Sequence, residues 1–124
     1  MKILVVDDQE TMRRVISHIL QQLGHENVTT AEDGKQALQR LSGGNFDFVI
    51  SDWNMPRMTG IELLKAIRKS NEFKALPVLL ITAENAKSQV MEAARAGVNS
   101  FICKPFSAAE LEKKISIIFP DKKP

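Results

Sequence analysis

The sequence predicts an α/β fold with a parallel sheet covered on both faces, and three observations carry the prediction. Apolar runs of strand length alternate with stretches of helical periodicity roughly five times, no hairpin turn joins two of the runs, and the runs are apolar throughout instead of alternating with polar residues. Right-handed crossovers then leave few topologies. With 124 residues, 44% hydrophobic and 26% charged, the chain has enough material for one real core and too little for two. Residues 1–124 are therefore expected to form a single domain without a second, output domain.

Taken in order, Lys2 to Val6 is the first strand, and Met12, Val15, Ile16, Ile19, Leu20 and Leu23 recur at helical spacing until Gly24. Val28 to Ala31 is a weaker strand. Asp33 then caps a short helix carrying Ala37, Leu38 and Leu41, which leaves through Gly43-Gly44. The third strand ends at Asp52, before a turn closed by Pro56, and Ile61, Leu64 and Ile67 face inward on the helix after Gly60. Pro77 to Thr82 is the fourth strand. Asn85 caps a helix with a thin stripe of Val90, Met91 and Ala94, ending at Gly97. Ser100 to Cys103 is the last strand, and Ser107-Ala108-Ala109-Glu110 reads as a capping box opening a helix with Leu111, Ile115 and Ile118 on one face. Asp121 to Pro124 is a polar tail.

Composition excludes several classes of function. A net charge of +2 is too mild for a nucleic-acid-binding surface, and no apolar run approaches the roughly 20 residues of a membrane helix. The lone Cys103 has no partner for an internal disulfide and no signal segment is visible, so a cytoplasmic setting is expected. Cys103 itself reads as a small buried or half-buried residue.

In open parallel sheets, ligands sit at the carboxyl ends of the strands. Here those ends carry Asp7 and Asp8, Asp52, Thr82 and Lys104. Each has an ordinary explanation alone: acids before a helix favour its positive end, and Asp52 suits a turn. Together on one rim they point to a site. Two carboxylates about 4 Å apart repel by roughly 4 kcal/mol at an effective dielectric of 20. A hard cation with oxygen ligands offsets this, and two or three protein oxygens with room for water suit Mg²⁺ better than Ca²⁺. Zinc is disfavoured because His18 and His25 lie far from the acids in sequence. A carboxylate beside Mg²⁺, a hydroxyl and a lysine suits phosphoryl transfer, with Asp52 the better nucleophile and Asp7 and Asp8 placed to hold the ion.

Runs such as Val5-Val6-Asp7-Asp8, Ala31-Glu32-Asp33-Gly34, Phe48-Val49-Ile50-Ser51-Asp52-Trp53-Asn54-Met55-Pro56, Thr82-Ala83-Glu84 and Lys104-Pro105-Phe106 make the chain resemble the response-regulator receiver domains over essentially its whole length. Among them it is most similar to the stand-alone, CheY-like chemotaxis members. The resemblance implies a three-layer flavodoxin-like (βα)5 fold with strand order 2-1-3-4-5. It implies that Asp52 is phosphorylated by a chemotaxis-type histidine kinase, or by small acyl or amido phosphates, with self-hydrolysis afterwards and no turnover of an external substrate. Asp8, Asp52 and the carbonyl of Asn54 would bind Mg²⁺, Asp7 would act through water, and Thr82 and Lys104 would contact the phosphoryl group. The Lys104-Pro105 bond would be cis, and Asn54 and Glu84 would tune hydrolysis toward a short-lived mark.

The implied output is a population shift of the face formed by the fourth helix, fifth strand and fifth helix, through Phe101, Lys87, Val90 and Lys114. The flagellar motor switch and a dedicated phosphatase are the further partners the family suggests. Position 101, however, is Phe where chemotaxis members usually carry Tyr, and the chain has no tyrosine. The runner-up readings are a phosphorelay carrier and a chemotaxis-like regulator with a non-motor partner. Other classes fit less well. An Asp-nucleophile phosphatase wants a second acid where Asn54 stands, a flavodoxin-like mononucleotide binder wants Gly, Ser or Thr in the first loop, and a nucleoside triphosphatase needs a Gly-rich Lys-Ser/Thr loop. His18 and His25 are expected to be solvated, Arg13-Arg14 to lie on the outer face of the first helix, and Trp53 to shield the site.

Overall fold

The computed structural model describes residues 1–83 and 87–120. In chain order the elements are β1 (Lys2–Val6), α1 (Glu10–Gln22), β2 (Asn27–Ala31), α2 (Gly34–Leu41), β3 (Phe48–Asp52), α3 (Gly60–Lys69), β4 (Val78–Thr82), α4 (Lys87–Arg95), β5 (Ser100–Cys103) and α5 (Ala108–Ile118). The five strands are all parallel and lie in the order β2-β1-β3-β4-β5. The expected fold is the one observed.

Strand alternation divides the apolar runs between two layers. Leu4, Val6, Val49, Val78 and Leu80 face a core shared with α2, α3 and α4. Ile3, Val5, Phe48, Ile50, Leu79 and Ile81 face the opposite core with Ile16 and Leu20 of α1 and Leu111 and Ile115 of α5. Strands buried on both faces cannot show a polar alternation, which is why their sequences are continuously apolar.

Caps fix the helix starts. Asp33 accepts from the Gln36 N–H, and the capping box at Ser107 and Glu110 forms as expected. A second capping box, Thr59 with Glu62, opens α3. The predicted Asn85 cap and the polar tail fall outside the described residues.

Several expectations are corrected. On α4 the buried residue is Ala93, flanked by half-buried Val90 and Ala96, while Met91 is exposed. Of the predicted stripe only Val90 turns partly inward; Ala94, like Met91, is exposed, and the contact is made by Ala93, which the apolar pattern did not single out. Val15 on α1 is exposed, and Ile16 and Leu20 make the buried contact of that helix. Trp53 does not shield the strand end; it continues the Val49 row of β3 into the core beneath α2–α4.

His25 is also buried, with its backbone N–H on the Leu20 carbonyl and its Nε2 without a hydrogen-bond partner. Burial pushes its pKa below the ordinary value. A depressed folded value means that the neutral form carries the stability. That stability is complete above the unfolded pKa of about 6.5 and is lost as pH falls through the lower folded value. His25→Phe is expected to flatten the acid side of the stability profile, read as unfolding midpoints between pH 7 and 5. His18 is exposed, as expected.

Arg68 at the end of α3 ties the α3–β4 and α4–β5 loops together. Its guanidinium donates to the carbonyls of Gly97, Lys74 and Leu76 and to Asn99 Oδ1, at 2.6 to 3.0 Å, and Asn99 Oδ1 also accepts from Val78 N–H. Arg68→Leu is expected to cost about 3 kcal/mol, because hydrogen bonds to a charged group are worth roughly 1.5–3 kcal/mol each and the loss is shared with water. Arg68→Lys should recover little of it, since one ammonium cannot span this fork. Urea unfolding checks both.

Candidate functional site

β1 and β3 are neighbours with Val6 opposite Ser51, so the next residues, Asp7 and Asp52, emerge side by side at the carboxyl rim. Both continue the rows that face α1 and α5, and both are buried. Asp8 follows Asp7 and is exposed. One carboxylate oxygen from each of the three acids lies within 4.8 Å of the others.

Lys104 comes from the loop after β5. Its backbone N–H donates to the Thr82 carbonyl at 2.8 Å, and its Nζ lies 3.2 Å from Asp52 Oδ1. The Lys104-Pro105 bond is cis. Thr82 ends β4 and is buried, and its hydroxyl donates to Gln89 Oε1 at 3.0 Å. Asn54 lies in the exposed part of the β3–α3 loop. Asp7, Asp8, Asp52, Thr82 and Lys104 are thus gathered at one rim, while Glu84 lies outside the described residues.

Three carboxylates face one ammonium. Burial raises the pKa of Asp7, the Gln9 N–H on its Oδ1 opposes the shift, and Asp52 adds to it. Burial likewise raises Asp52, with the Lys104 ammonium pulling the other way and Asp8 pushing with burial. Asp7 Oδ2 is buried without a hydrogen-bond partner. An orphaned carboxylate oxygen beside two further acids fits a small hard cation that keeps part of its water.

The sequence reading missed the groups that hold this set in place. Arg13 Nη1 donates to the Asp7 carbonyl at 2.8 Å, so Arg13 faces the site and only Arg14 occupies the outer face, paired with Glu10. Gln89 secures Thr82 from the first turn of α4. Neither residue carries a motif that marks it; both contacts come from crossovers returning to the same rim.

The predicted output residues lie on α4, β5 and α5. Phe101 is half-buried against the core beneath α2–α4, and Lys114 Nζ stands 5.5 Å from the centre of its ring. Lys87 is exposed and Val90 half-buried on α4, and Cys103 is half-buried as expected.

Residues 3–116 match the family described as the response regulator receiver domain. The chain belongs to that family. The receiver domain is 55% identical to the chemotaxis protein CheY of Pseudomonas aeruginosa over 119 residues, 96% of each chain. It is 56% identical to the chemotaxis protein CheY-3 of Vibrio cholerae, covering 96% of this chain and 92% of that one. Among solved structures, Vibrio cholerae CheY4 superposes with a TM-score of 0.89 at 39% identity, over 95% of this receiver and 98% of the other. The receiver domain of a Pseudomonas aeruginosa sensor histidine kinase, described with a magnesium ion coordinated in its active-site cleft, gives a TM-score of 0.83 at 29% identity and covers 93% of both chains.

Proposed function

We propose that this receiver is a phosphorylation-switched regulator of the chemotaxis type, with Asp52 as the acceptor of a phosphoryl group from the phosphohistidine of a histidine kinase. The observation that carries the reading is the convergence of Asp7, Asp8 and Asp52 with the Lys104 ammonium. An Asp52 carboxylate oxygen attacks phosphorus in line, the P–N bond breaks, and its electron pair leaves with the donor imidazole. The product is an acyl phosphate, which water later cleaves to return the carboxylate and inorganic phosphate.

Asp8, Asp52 and the Asn54 carbonyl would hold Mg²⁺, with Asp7 acting through water. When bound, the ion supplies positive charge to the carboxylates and to the phosphoryl oxygens. Lys104, now against Asp52, turns to a phosphoryl oxygen. Thr82 exchanges its Gln89 contact for another, and that movement carries the signal toward Phe101, Lys87, Val90 and Lys114. Asn54 and Glu84 set a short phosphoryl lifetime. The protein acts in the cytoplasm as a regulator and not as a turnover enzyme, with the flagellar motor switch as its output partner.

The Phe101 ring under Lys114 favours a second version, in which a non-motor partner or a relay histidine protein reads the switch, since no phenolic hydroxyl is present to bond a neighbouring backbone group. Phosphorylation-dependent binding of a motor-switch peptide would decide for the first version.

Trp53 is the only tryptophan and follows Asp52 directly in the chain, so although its ring lies in the opposite core, a shift of the β3 end moves its backbone and is expected to alter its emission. Emission is expected to change on adding Mg²⁺ and again on adding a small acyl phosphate, with the second change absent in Asp52→Asn. No change in the wild type, or a second change that survives the substitution, overturns the assignment.

A further inference from the structure

The β3–α3 loop contains a backbone conformation that its sequence does not favour. Arg57 has a φ of 67°, and the Met58 N–H donates to the Pro56 carbonyl at 2.7 Å, closing a three-residue turn around it. A turn of this kind with positive φ is rare and strained for any residue with a side chain, and a long cation is an unfavourable choice where glycine or asparagine is the usual occupant. Something outside the turn must hold it.

The neighbouring α2 start supplies two contacts. Arg57 Nε lies 3.3 Å from Asp33 Oδ2, and that carboxylate is buried although the arginine is largely exposed. Its other oxygen is occupied by the Gln36 N–H as the α2 cap. The second contact is Met58, whose side chain lies over Gly34 so closely that a Cβ there would come within 2.6 to 2.7 Å of its Cβ, Cγ and Sδ. An ion pair between two exposed groups contributes little, but this one fixes an already immobile carboxylate to the strained residue itself.

We propose that the Asp33–Arg57 pair is a latch that holds the 54–58 loop in its strained form, making Asp33 and Arg57 positioning residues for the cation site. The proposal deepens the function assigned above and rests on the reading that the Asn54 carbonyl, three residues before Arg57, serves the cation. Neither latch residue touches the ion or the phosphoryl group. The latch lets a non-glycine residue occupy the turn, and it joins the start of α2 to the segment leaving Asp52.

The test uses two readouts on the whole protein: amide exchange at Met58 without divalent cation, and Mg²⁺ affinity from Trp53 emission. Arg57→Ala is expected to speed Met58 exchange at least fivefold and weaken Mg²⁺ several-fold, because the strain persists without its restraint. Asp33→Asn, which retains an oxygen for the α2 cap, should do the same. Arg57→Gly should restore both readouts to near wild type, since glycine takes this φ without strain, and adding Asp33→Asn to Arg57→Gly should change nothing further. Thermal midpoints confirm that each variant is folded. Wild-type exchange and affinity in Arg57→Ala overturn the latch, as does an Asp33→Asn effect of equal size in the Arg57→Gly background, which would mark Asp33 as a cap alone. Should the wild type itself not bind Mg²⁺, the assigned function fails, and the exchange pattern still decides for or against the latch.

Discussion

Asp52→Asn is expected to abolish phosphoryl labelling from a small acyl phosphate, with incorporation falling at least a hundredfold to background, while making the metal-free protein more stable. The first effect is chemical: the amide replaces the attacking oxygen pair with a group of negligible nucleophilicity and removes one of three converging charges. The second follows from burial. Asp7 and Asp52 both have raised folded pKa values, so each contributes stability that is complete below its ordinary value of 3.8 and lost as pH rises through the folded value. At neutral pH the ionised acids therefore oppose folding, and a neutral isostere at position 52 removes part of that cost. The Lys104 ammonium, left without its carboxylate, limits the gain; its side chain is about a quarter exposed and can turn to water.

Mg²⁺ reverses the comparison. A cation that binds only the folded state adds about 2.7 kcal/mol at a hundred times its dissociation constant. The wild type should gain this and Asp52→Asn much less, so their order of thermal midpoints is expected to exchange on adding the metal. In the metal-free wild type, midpoints should rise as pH is lowered toward 4, and Mg²⁺ should remove or invert that slope. His25 acts with the opposite sign below about pH 6.5, so the slope is best measured in His25→Phe. Equal labelling of wild type and Asp52→Asn, or a midpoint that falls in the metal-free variant, contradicts the electrostatic account.

What the residues disclosed and what they concealed divides along one physical line. β1 and β5 were placed to the residue and β3 at its last residue; β1 and β3 stand out because a strand buried on both faces reads as a continuous apolar run, and the rim acids were conspicuous because each closes such a run. The order of the strands was not written in any single run; it came with the resemblance. Hidden altogether were choices made by tertiary packing. Trp53 adjoins Asp52 in sequence, yet strand alternation sends it to the opposite core. His25 looked like a surface residue in a turn, but the chain reversal after α1 folds it inward. On α4, Ala93 is buried while Met91 is exposed and Val90 only half-buried, so the larger side chains did not reveal which face turns inward. Gln89, Arg13 and the Asp33–Arg57 pair act on the site from separate crossovers, and no local pattern could connect them.

Gly60→Ala sets two well-defined effects against each other, and their sizes decide the outcome. Gly60 is the first residue of α3, where alanine would ordinarily stabilise the helix by roughly 0.5–1 kcal/mol through propensity and a less flexible unfolded chain. A Cβ at this position, however, would stand 2.2 Å from the Asp52 carbonyl oxygen and 3.0 Å from both the Asp52 carbonyl carbon and Trp53 Cα. All three are backbone atoms, so no side chain can rotate away. The Gly60 N–H also donates to the Trp53 carbonyl at 2.8 Å, which ties the helix start to the segment it would have to leave. Nor can the strand yield easily, since β3 is bonded to β1 on one side and β4 on the other. Overpacking costs of 1–3 kcal/mol apply where side chains can adjust; a backbone contact this short is expected to exceed 3 kcal/mol and outweigh the helical gain several-fold. The displacement should fall on Asp52 itself, so Mg²⁺ affinity in the folded fraction is expected to drop at least tenfold. Lys65→Ala, at an exposed position on the same helix, should change stability by no more than about 0.5 kcal/mol. A Gly60→Ala protein as stable as Lys65→Ala, with unaltered Mg²⁺ binding, would mean that the α3 start does not fix the carboxyl end of β3.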